Sequence, residues 1–274
     1  MRFAVYTESE QNRLAAVDGD RIAPLGDGWS DLSQVFEAQG LEKARAVAAA
    51  LPASAWRPLA SVRLALPLAR PGKVVCIGLN YRAHAAEGGF AVPDYPALFL
   101  RVPTSLVAAN APIRLPRVSE KLDYEAELLV VIGKGGRYIP ESSALDHVFG
   151  YAVGLDMTRR DLQGEAKKLG RPWEVGKAFE ASAPCGEIVR ASEIGHPAKG
   201  AVWLDVNGVR KQTGDLDQLI WKVPEMISYL SGLFELQAGD LIYSGTPAGV
   251  NAVQRGDTMV GGVDGVGTIT ITVS

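Results

Sequence analysis

Asp123-Tyr-Glu125-Ala-Glu127-Leu-Leu-Val-Val-Ile132 is the stretch on which the fold turns. Its second half, Leu128 to Ile132, is an unbroken apolar run of strand length that ends at Gly133, as in a strand buried within a sheet. Its first half sets two carboxylates two residues apart. Residues i and i+2 of a strand share a face, so Glu125 and Glu127 converge on one volume. Like charges that close repel unless a cation lies between them, and hard divalent ions such as Mg²⁺ prefer carboxylate oxygens. An arbitrary Glu-x-Glu is more often the solvated face of an edge strand. The apolar run that follows argues against that here.

Working outward, the same strand grammar recurs. Lys73-Val-Val-Cys-Ile77 stops at Gly78, and Leu98 to Arg101, Gly150 to Leu155, Ala201 to Val206, Leu241 to Ser244 and Thr268 to Val273 are short, apolar or β-branched, and bounded by Gly or Pro. Helical patterning is convincing later in the chain only near Thr158 to Leu169 and Val223 to Leu233. The expectation is a mainly β protein with a few helices, an α+β chain built on a twisted, barrel-like sheet. Residues 1–65 read as a small β-rich domain, with alternating pieces at Arg2 to Thr7 and Arg13 to Val17, turns at Asp18-Gly19-Asp20 and Gly26-Asp27-Gly28, and one helical stretch carrying Leu32, Val35, Phe36, Ala44, Val47 and Leu51. Pro67, Pro71 and Gly72 mark a linker to a second domain over residues 70–274.

The totals narrow the function. The 274 residues are 47% apolar and 22% charged, ordinary for a folded protein, and the formal net charge of -3 offers no general attraction for nucleic acid or an anionic membrane. Cys76 and Cys185 are too few for a disulfide framework, no apolar run approaches a membrane span, and the polar turn at Thr7-Glu8 spoils a signal peptide. A soluble, cytoplasmic protein acting on a small molecule is expected. Gly-x-Gly-x-x-Gly, Walker, His-Glu-x-x-His and Gly-x-Ser-x-Gly motifs are missing, so nucleotide, zinc-protease and serine-hydrolase readings lack a foothold.

Asp156 closes the strand Gly150 to Leu155 just before the helix candidate. Alone it would pass for a helix N-cap; beside Glu125 and Glu127 it supplies a third oxygen ligand and leaves positions open for water and substrate. His84 and Glu87, three apart, share a helical face, and a carboxylate beside an imidazole raises its basicity and fixes its tautomer. A surface pair would have the same spacing. His147 and His196 sit in surface-turn contexts. From Arg159 to Lys177 the chain holds six basic and three acidic residues, of which Lys167 and Lys168 read as an ordinary mixed-charge helix face. Lys177 stands apart because Trp173, Val175 and Phe179 surround it, and such a lysine suits a carboxylate or a developing enolate. Ser244-Gly-Thr246-Pro-Ala-Gly249 adds a hydroxyl and a flexible turn after a strand.

In this order, Gly78 through His84 to Glu87, Asp123 through Leu128, Gly150 through Arg160, Trp173 through Lys177, Asn207-Gly208 with Gln212, and Ser244 through Val250 resemble the fumarylacetoacetate hydrolase superfamily. The stretch Asp161 to Trp173 is similar to its acylpyruvase and fumarylpyruvate hydrolase branch. The resemblance implies a mixed β-sandwich roll, a homodimer, and Mg²⁺ or Mn²⁺ held by Glu125, Glu127 and Asp156, with the His84 and Glu87 helix as a lid. It implies hydrolysis of the C3–C4 bond of a 2,4-diketo acid of acylpyruvate or fumarylpyruvate type, to pyruvate and a carboxylic acid. In that reading His84, paired with Glu87, activates water, Lys177 and the metal stabilise a pyruvate enolate, and Arg101, Gln163 and Thr246 contact the keto acid substrate. Two alternatives stay open. One is another reaction on the same metal site, either isomerisation of 2-hydroxyhepta-2,4-diene-1,7-dioate or 5-carboxymethyl-2-hydroxymuconate, or decarboxylation of oxaloacetate. The other is a metal-stabilised binding protein without turnover.

Overall fold

Phe3 to Tyr6 and Leu14 to Val17 are buried in succession, so the first two strands are covered on both faces. They lie in the smaller of two compact units, Met1–Arg70 and Pro71–Ser274, of a computed structural model that describes residues 2–109 and 111–274. The smaller unit holds β1 (Arg2–Glu8), β2 (Gln11–Asp18), β3 (Arg21–Pro24), β4 (Arg57–Pro58) and β5 (Arg63–Leu64), in an antiparallel sheet of order β4-β3-β2-β1-β5. Ala4, Tyr6, Ala15, Val17 and Ile22 form a core for it. The single helical stretch expected after Leu32 is two pieces, a 3-10 turn at Leu32–Val35 and helix α1 (Ala38–Ala49). The break has a local cause. Asp31 and Gln34 close a capping box around the short turn, and Glu37 is extended, which restarts the helix at Ala38.

The larger unit opens with β6 (Val74–Gly78), α2 (Arg82–Glu87), β7 (Ala97–Arg101), β8 (Leu106–Ala108), β9 (Leu122–Tyr124), β10 (Ala126–Ile132) and β11 (Val148–Leu155). Then come β12 (Thr158–Arg159), α3 (Arg160–Lys168), α4 (Glu174–Lys177), β13 (Ala183–Cys185), β14 (Val189–Arg190) and α5 (Ala191–Ile194). It closes with β15 (Ala201–Val206), β16 (Val209–Asp215), α6 (Val223–Leu233), β17 (Leu241–Tyr243), β18 (Asn251–Ala252), β19 (Thr258–Val263) and β20 (Gly267–Thr272). The main sheet runs β7-β6-β17-β10-β11-β13-β8, with β14 also on β11; β16-β15-β19-β20 form a second sheet and β12-β9-β18 a third. The mainly β, α+β architecture expected from the sequence is the one observed. Among the described residues no helix is long and apolar enough to cross a membrane.

All seven residues of β10 are buried. Leu128, Val130 and Ile132 enter a core shared with Val202 and Leu204 of β15, Met259 of β19, Ile271 of β20 and Met226 of α6. The alternate residues, beginning with Glu127, take the other face. Because β10 is antiparallel to both β11 and β17, and β17 is parallel to β6, the start of β10 and the ends of β6, β11 and β17 meet at one edge of the sheet. Every carboxylate and the histidine singled out above lie at or just beyond those strand ends.

Three local expectations change. Thr158 and Arg159 pair with Asp123 and Leu122 as β12, so the helix begins at Arg160. The short helices α4 and α5 are a single turn each, too brief to show periodicity in sequence. Strands β16 and β19 were not anticipated: Val209-Arg-Lys-Gln-Thr-Gly-Asp215 is an exposed edge without the apolar alternation that marks a strand, and β19, though interior, is interrupted by Gly261-Gly262.

One close approach holds β11 against β14. Gly150 pairs with Arg190, and a Cβ there would fall on the Val189 carbonyl oxygen, a backbone atom that cannot step aside. Gly150→Ala is therefore expected to lower the unfolding free energy by about 1–3 kcal/mol in urea titrations. A change below about 0.5 kcal/mol, the range of neutral surface substitutions, would contradict the packing described.

Candidate functional site

The strand ends bring Glu125, Glu127 and Asp156 together. One oxygen of each lies within 4.8 Å of the others, and all three residues are buried. Glu125 sits in the break between β9 and β10, Glu127 one strand period on, and Asp156 immediately after β11, where its backbone N–H donates to the Glu125 carbonyl at 2.8 Å. Neither of the ordinary readings of these acids survives. Glu127 is on a central strand and Glu125 is buried just ahead of it, and the N-cap position of α3 belongs to Arg159, so Asp156 does not cap that helix.

Three cations frame the acids. The buried Lys177 ammonium donates to Glu125 Oε2 at 2.7 Å and to Asp156 Oδ2 at 2.8 Å. Arg160 donates through Nε to Asp123 Oδ2 at 2.7 Å and through Nη2 to Glu125. Arg101 donates through Nη2 to Asp156 and to the Met157 carbonyl, and through Nη1 to the Lys177 carbonyl and Ser182 Oγ. Burial acts to raise the Glu125 pKa, but Lys177 and Arg160 outweigh it and hold this carboxyl well below the usual range. Glu127 goes the other way. Burial first, and then the Asp156 and Glu125 charges, push it well above the ordinary value, with the Gly245 N–H at 2.8 Å as its opposing hydrogen bond. A carboxyl driven toward its neutral form by burial and then by two neighbouring carboxylates is relieved by a cation, and the oxygen-only donor set fits a hard divalent ion.

His84 meets this centre from α2. The acids, His84, Gln163, Lys177 and Thr246 all line one cavity, which adjoins a wider mouth that also carries His84 and Gln163. The His84 Nδ1 lies 3.4 Å from Glu87 Oε2, and the Glu87 oxygens accept from the Gly249 N–H at 3.1 and 3.2 Å. The turn ahead of α2 is pinned by Asn80, whose amide donates to the Ser244 and Trp221 carbonyls at 2.7 and 3.0 Å and accepts from the Trp221 N–H at 2.7 Å. His147 and His196 lie elsewhere, bonded to the Lys134 carbonyl and the Tyr151 hydroxyl respectively.

The three residues expected to touch substrate separate. Gln163 lines the cavity, and its Oε1 accepts from Arg160 Nη1 at 2.7 Å, which leaves the amide N–H groups for another partner. Thr246 also lines it, with its hydroxyl donating to the Ala126 carbonyl and accepting from Gln212 Nε2, both at 2.8 Å. Arg101 is absent from the cavity wall. It shares the inward face of β7 with Phe99, behind Asp156, its terminal nitrogens occupied by protein. The residue expected to contact substrate is thus found enclosed beside Asp156 and not on the cavity wall.

Two cavity residues escaped the sequence reading. Arg160 and Lys167 were part of a charge cluster, and Lys167 was assigned to a surface face, yet both line the cavity. A signal existed: Arg160, Gln163 and Lys167 recur at i, i+3 and i+7, one face of α3. Phe99 and Trp173, with ring centroids 5.8 Å apart, complete the wall, and the Lys177 ammonium stands 4.9 Å from the Phe99 centroid.

Comparison with known proteins bears on this geometry. Residues 73–274 match the model of the fumarylacetoacetate (FAA) hydrolase C-terminal family. The chain is 49% identical to a fumarylpyruvate hydrolase from Pseudomonas aeruginosa whose crystal structure is a complex with Mn²⁺ and pyruvate; the match covers 73% of this chain and 88% of that one, with a TM-score of 0.72. It is 42% identical over 200 residues to the mitochondrial oxaloacetate tautomerase of Homo sapiens, covering 73% of this chain and 90% of the relative. The maleylpyruvate hydrolase from Sphingobium sp. SYK-6 matches along 100% of this chain and 99% of its own, at 32% identity and a TM-score of 0.82.

Saturating Mg²⁺ or Mn²⁺ should stabilise the fold. At roughly 100 times the dissociation constant the gain is about 2.7 kcal/mol, or roughly 5–10 °C in melting temperature for a chain of this size. Scanning calorimetry with and without a chelator measures it. Glu127→Ala is expected to abolish the metal-dependent shift, and a wild-type midpoint indifferent to both metal and chelator would refute a divalent site.

Proposed function

The chain belongs to the fumarylacetoacetate hydrolase family, and from that membership and the cavity's geometry we propose that it hydrolyses the C3–C4 bond of a 2,4-diketo acid to pyruvate and a carboxylic acid. The observation that carries the reading is that a histidine backed by a carboxylate and a buried cluster of three acids open onto the same cavity. A binding protein without turnover has no use for the histidine pair.

Glu125, Glu127 and Asp156 would hold Mg²⁺ or Mn²⁺, which when bound supplies a Lewis acid that polarises keto and carboxylate oxygens. His84 takes a proton from water through Nε2, the ring nitrogen opposite the one that faces Glu87, while Glu87 sets the tautomer and steadies the imidazolium. The water oxygen adds to C4, the C3–C4 bond breaks, and C3 regains a proton. Negative charge develops on the three-carbon fragment. The Lys177 ammonium, desolvated and already inside the acid cluster, is placed to offset it. Gln163 and Thr246 orient the substrate, and Arg101 holds Asp156 and the Lys177 backbone in position.

A second reading is favoured by the 42% identity to a relative named for oxaloacetate tautomerisation. There His84 would move a proton between oxygen and carbon without adding water.

Absorbance loss of acetylpyruvate and fumarylpyruvate in Mg²⁺ tests the first reading. His84→Ala is expected to lower kcat by about 10²–10⁴-fold, the usual contribution of a general base, and Glu125→Ala to remove metal-dependent turnover. Full activity in His84→Ala would remove the base from the scheme. Failure to consume either diketo acid, with fast ketonisation of enol oxaloacetate, would replace hydrolysis by the second reading.

A further inference from the structure

Lys167 is a cation with no acid. Its ammonium lies 4.5 Å from the ring centroids of both Phe90 and Trp173, and among the described residues no carboxylate comes within ion-pair distance of it. It lines both the inner cavity and the mouth, at the junction of the two. The other basic side chains of the inner cavity are committed, Lys177 to Glu125 and Asp156, Arg160 to Asp123 and Glu125. Burial, then the charges of Arg160 and Lys177, push the Lys167 ammonium down to about 8. Two aromatic faces offset part of that cost but do not neutralise the charge. An arriving anion would.

We propose that Lys167 receives a carboxylate at the acyl end of the substrate, so that the site takes 2,4-diketo acids whose acyl group carries its own carboxylate in preference to acylpyruvates with a neutral acyl group. The inference rests on the hydrolase reading for the name of the reaction, though the anion preference itself does not. The geometry places the two ends of such a molecule. The reacting carbonyls belong with His84, Lys177 and the three acids in the inner cavity. Ile77, Leu79, Phe99 and Trp173 give its carbon chain an apolar wall. The far end then reaches the junction with the mouth, where Lys167 stands. A neutral acyl group leaves the ammonium without a partner; a carboxylate replaces the water it has lost.

The test compares fumarylpyruvate with acetylpyruvate in Mg²⁺, in wild type, Lys167→Met and Lys167→Arg, by steady-state kinetics and by calorimetric binding in a His84→Ala background where turnover is suppressed. Lys167→Met is expected to raise KM and the dissociation constant for fumarylpyruvate by about tenfold or more, equivalent to about 1.4 kcal/mol, with both acetylpyruvate values within about twofold of wild type. Lys167→Arg should keep the preference. The fumarylpyruvate-to-acetylpyruvate ratio of kcat/KM should also fall as pH rises past about 8. His84 and Glu87 on α2, Lys121 and Asp123 at β9, Arg160 on α3, Lys177 on α4 and Glu125 beside β10 also face this region, so the fall is assigned to Lys167 only where it is lost in Lys167→Met. Equal losses on the two substrates, or none, overturn the assignment while leaving hydrolysis intact. If neither diketo acid is consumed but calorimetry keeps a Lys167-dependent preference for fumarylpyruvate, the hydrolase reading falls and the anion site stands. The metal-dependent rise in melting temperature confirms that each variant is folded.

Discussion

The ammonium of Lys177, held 2.7 Å from Glu125 and 2.8 Å from Asp156, is the contact on which the rest of the larger unit's chemistry depends. Three carboxylates in one dry volume do not all remain ionised unless cations accompany them. Lys177 bridges two of them from inside, Arg160 reaches Glu125 from the cavity, and Arg101 backs Asp156 from the sheet. Removing one partner from such a buried network costs about 3–5 kcal/mol, because the acid left behind keeps its burial and loses its compensation. Among the described residues, Glu127 is the acid of the three with no cation in contact, and it rests on the Gly245 N–H. The cations are thus gathered on Glu125 and Asp156, and Glu127 is the acid left without one in contact.

The topology explains why residues so far apart in sequence arrive together. An antiparallel neighbour on each side of β10, and a parallel one beyond, bring one strand beginning and three strand endings to a single edge. The segment after each ending then carries something different: the α2 histidine after β6, Asp156 after β11, Gly245 and Thr246 after β17. Asn80 joins the first of these to the third by bonding the Ser244 carbonyl. Gln212 adds the second sheet, accepting from the Ala126 N–H and donating to Thr246 and the Pro247 carbonyl. The site is therefore cross-braced by side-chain amides.

Those parts of the site that obey a short period were legible in the sequence. Glu125 and Glu127 follow the strand's two-residue repeat, Asp156 ends an apolar run, His84 and Glu87 share a helical turn, and an aromatic neighbourhood marks Lys177. The burial of Arg101 was not legible because β7 inverts the usual pattern, turning Leu100 to solvent and the charged Arg101 inward. No feature of one sequence announces that a charged side chain will be buried against an acid 55 residues later. Lys167 was missed for the opposite reason, as lysines on a polar helix face are normally solvated and its aromatic partners come from two other segments. The fold followed the same rule. Long apolar strands were found, while two-residue strands such as Thr158–Arg159 exist only through their tertiary pairing.

Glu87 has two duties that are normally given to separate residues. Its carboxylate faces the His84 imidazole, and it also accepts the Gly249 N–H, tying α2 to the segment beyond β17. Because His84 and Glu87 ride on the same short helix, the imidazole and its partner carboxylate are carried as one unit, and the Gly249 N–H fixes where that unit stands relative to the segment beyond β17.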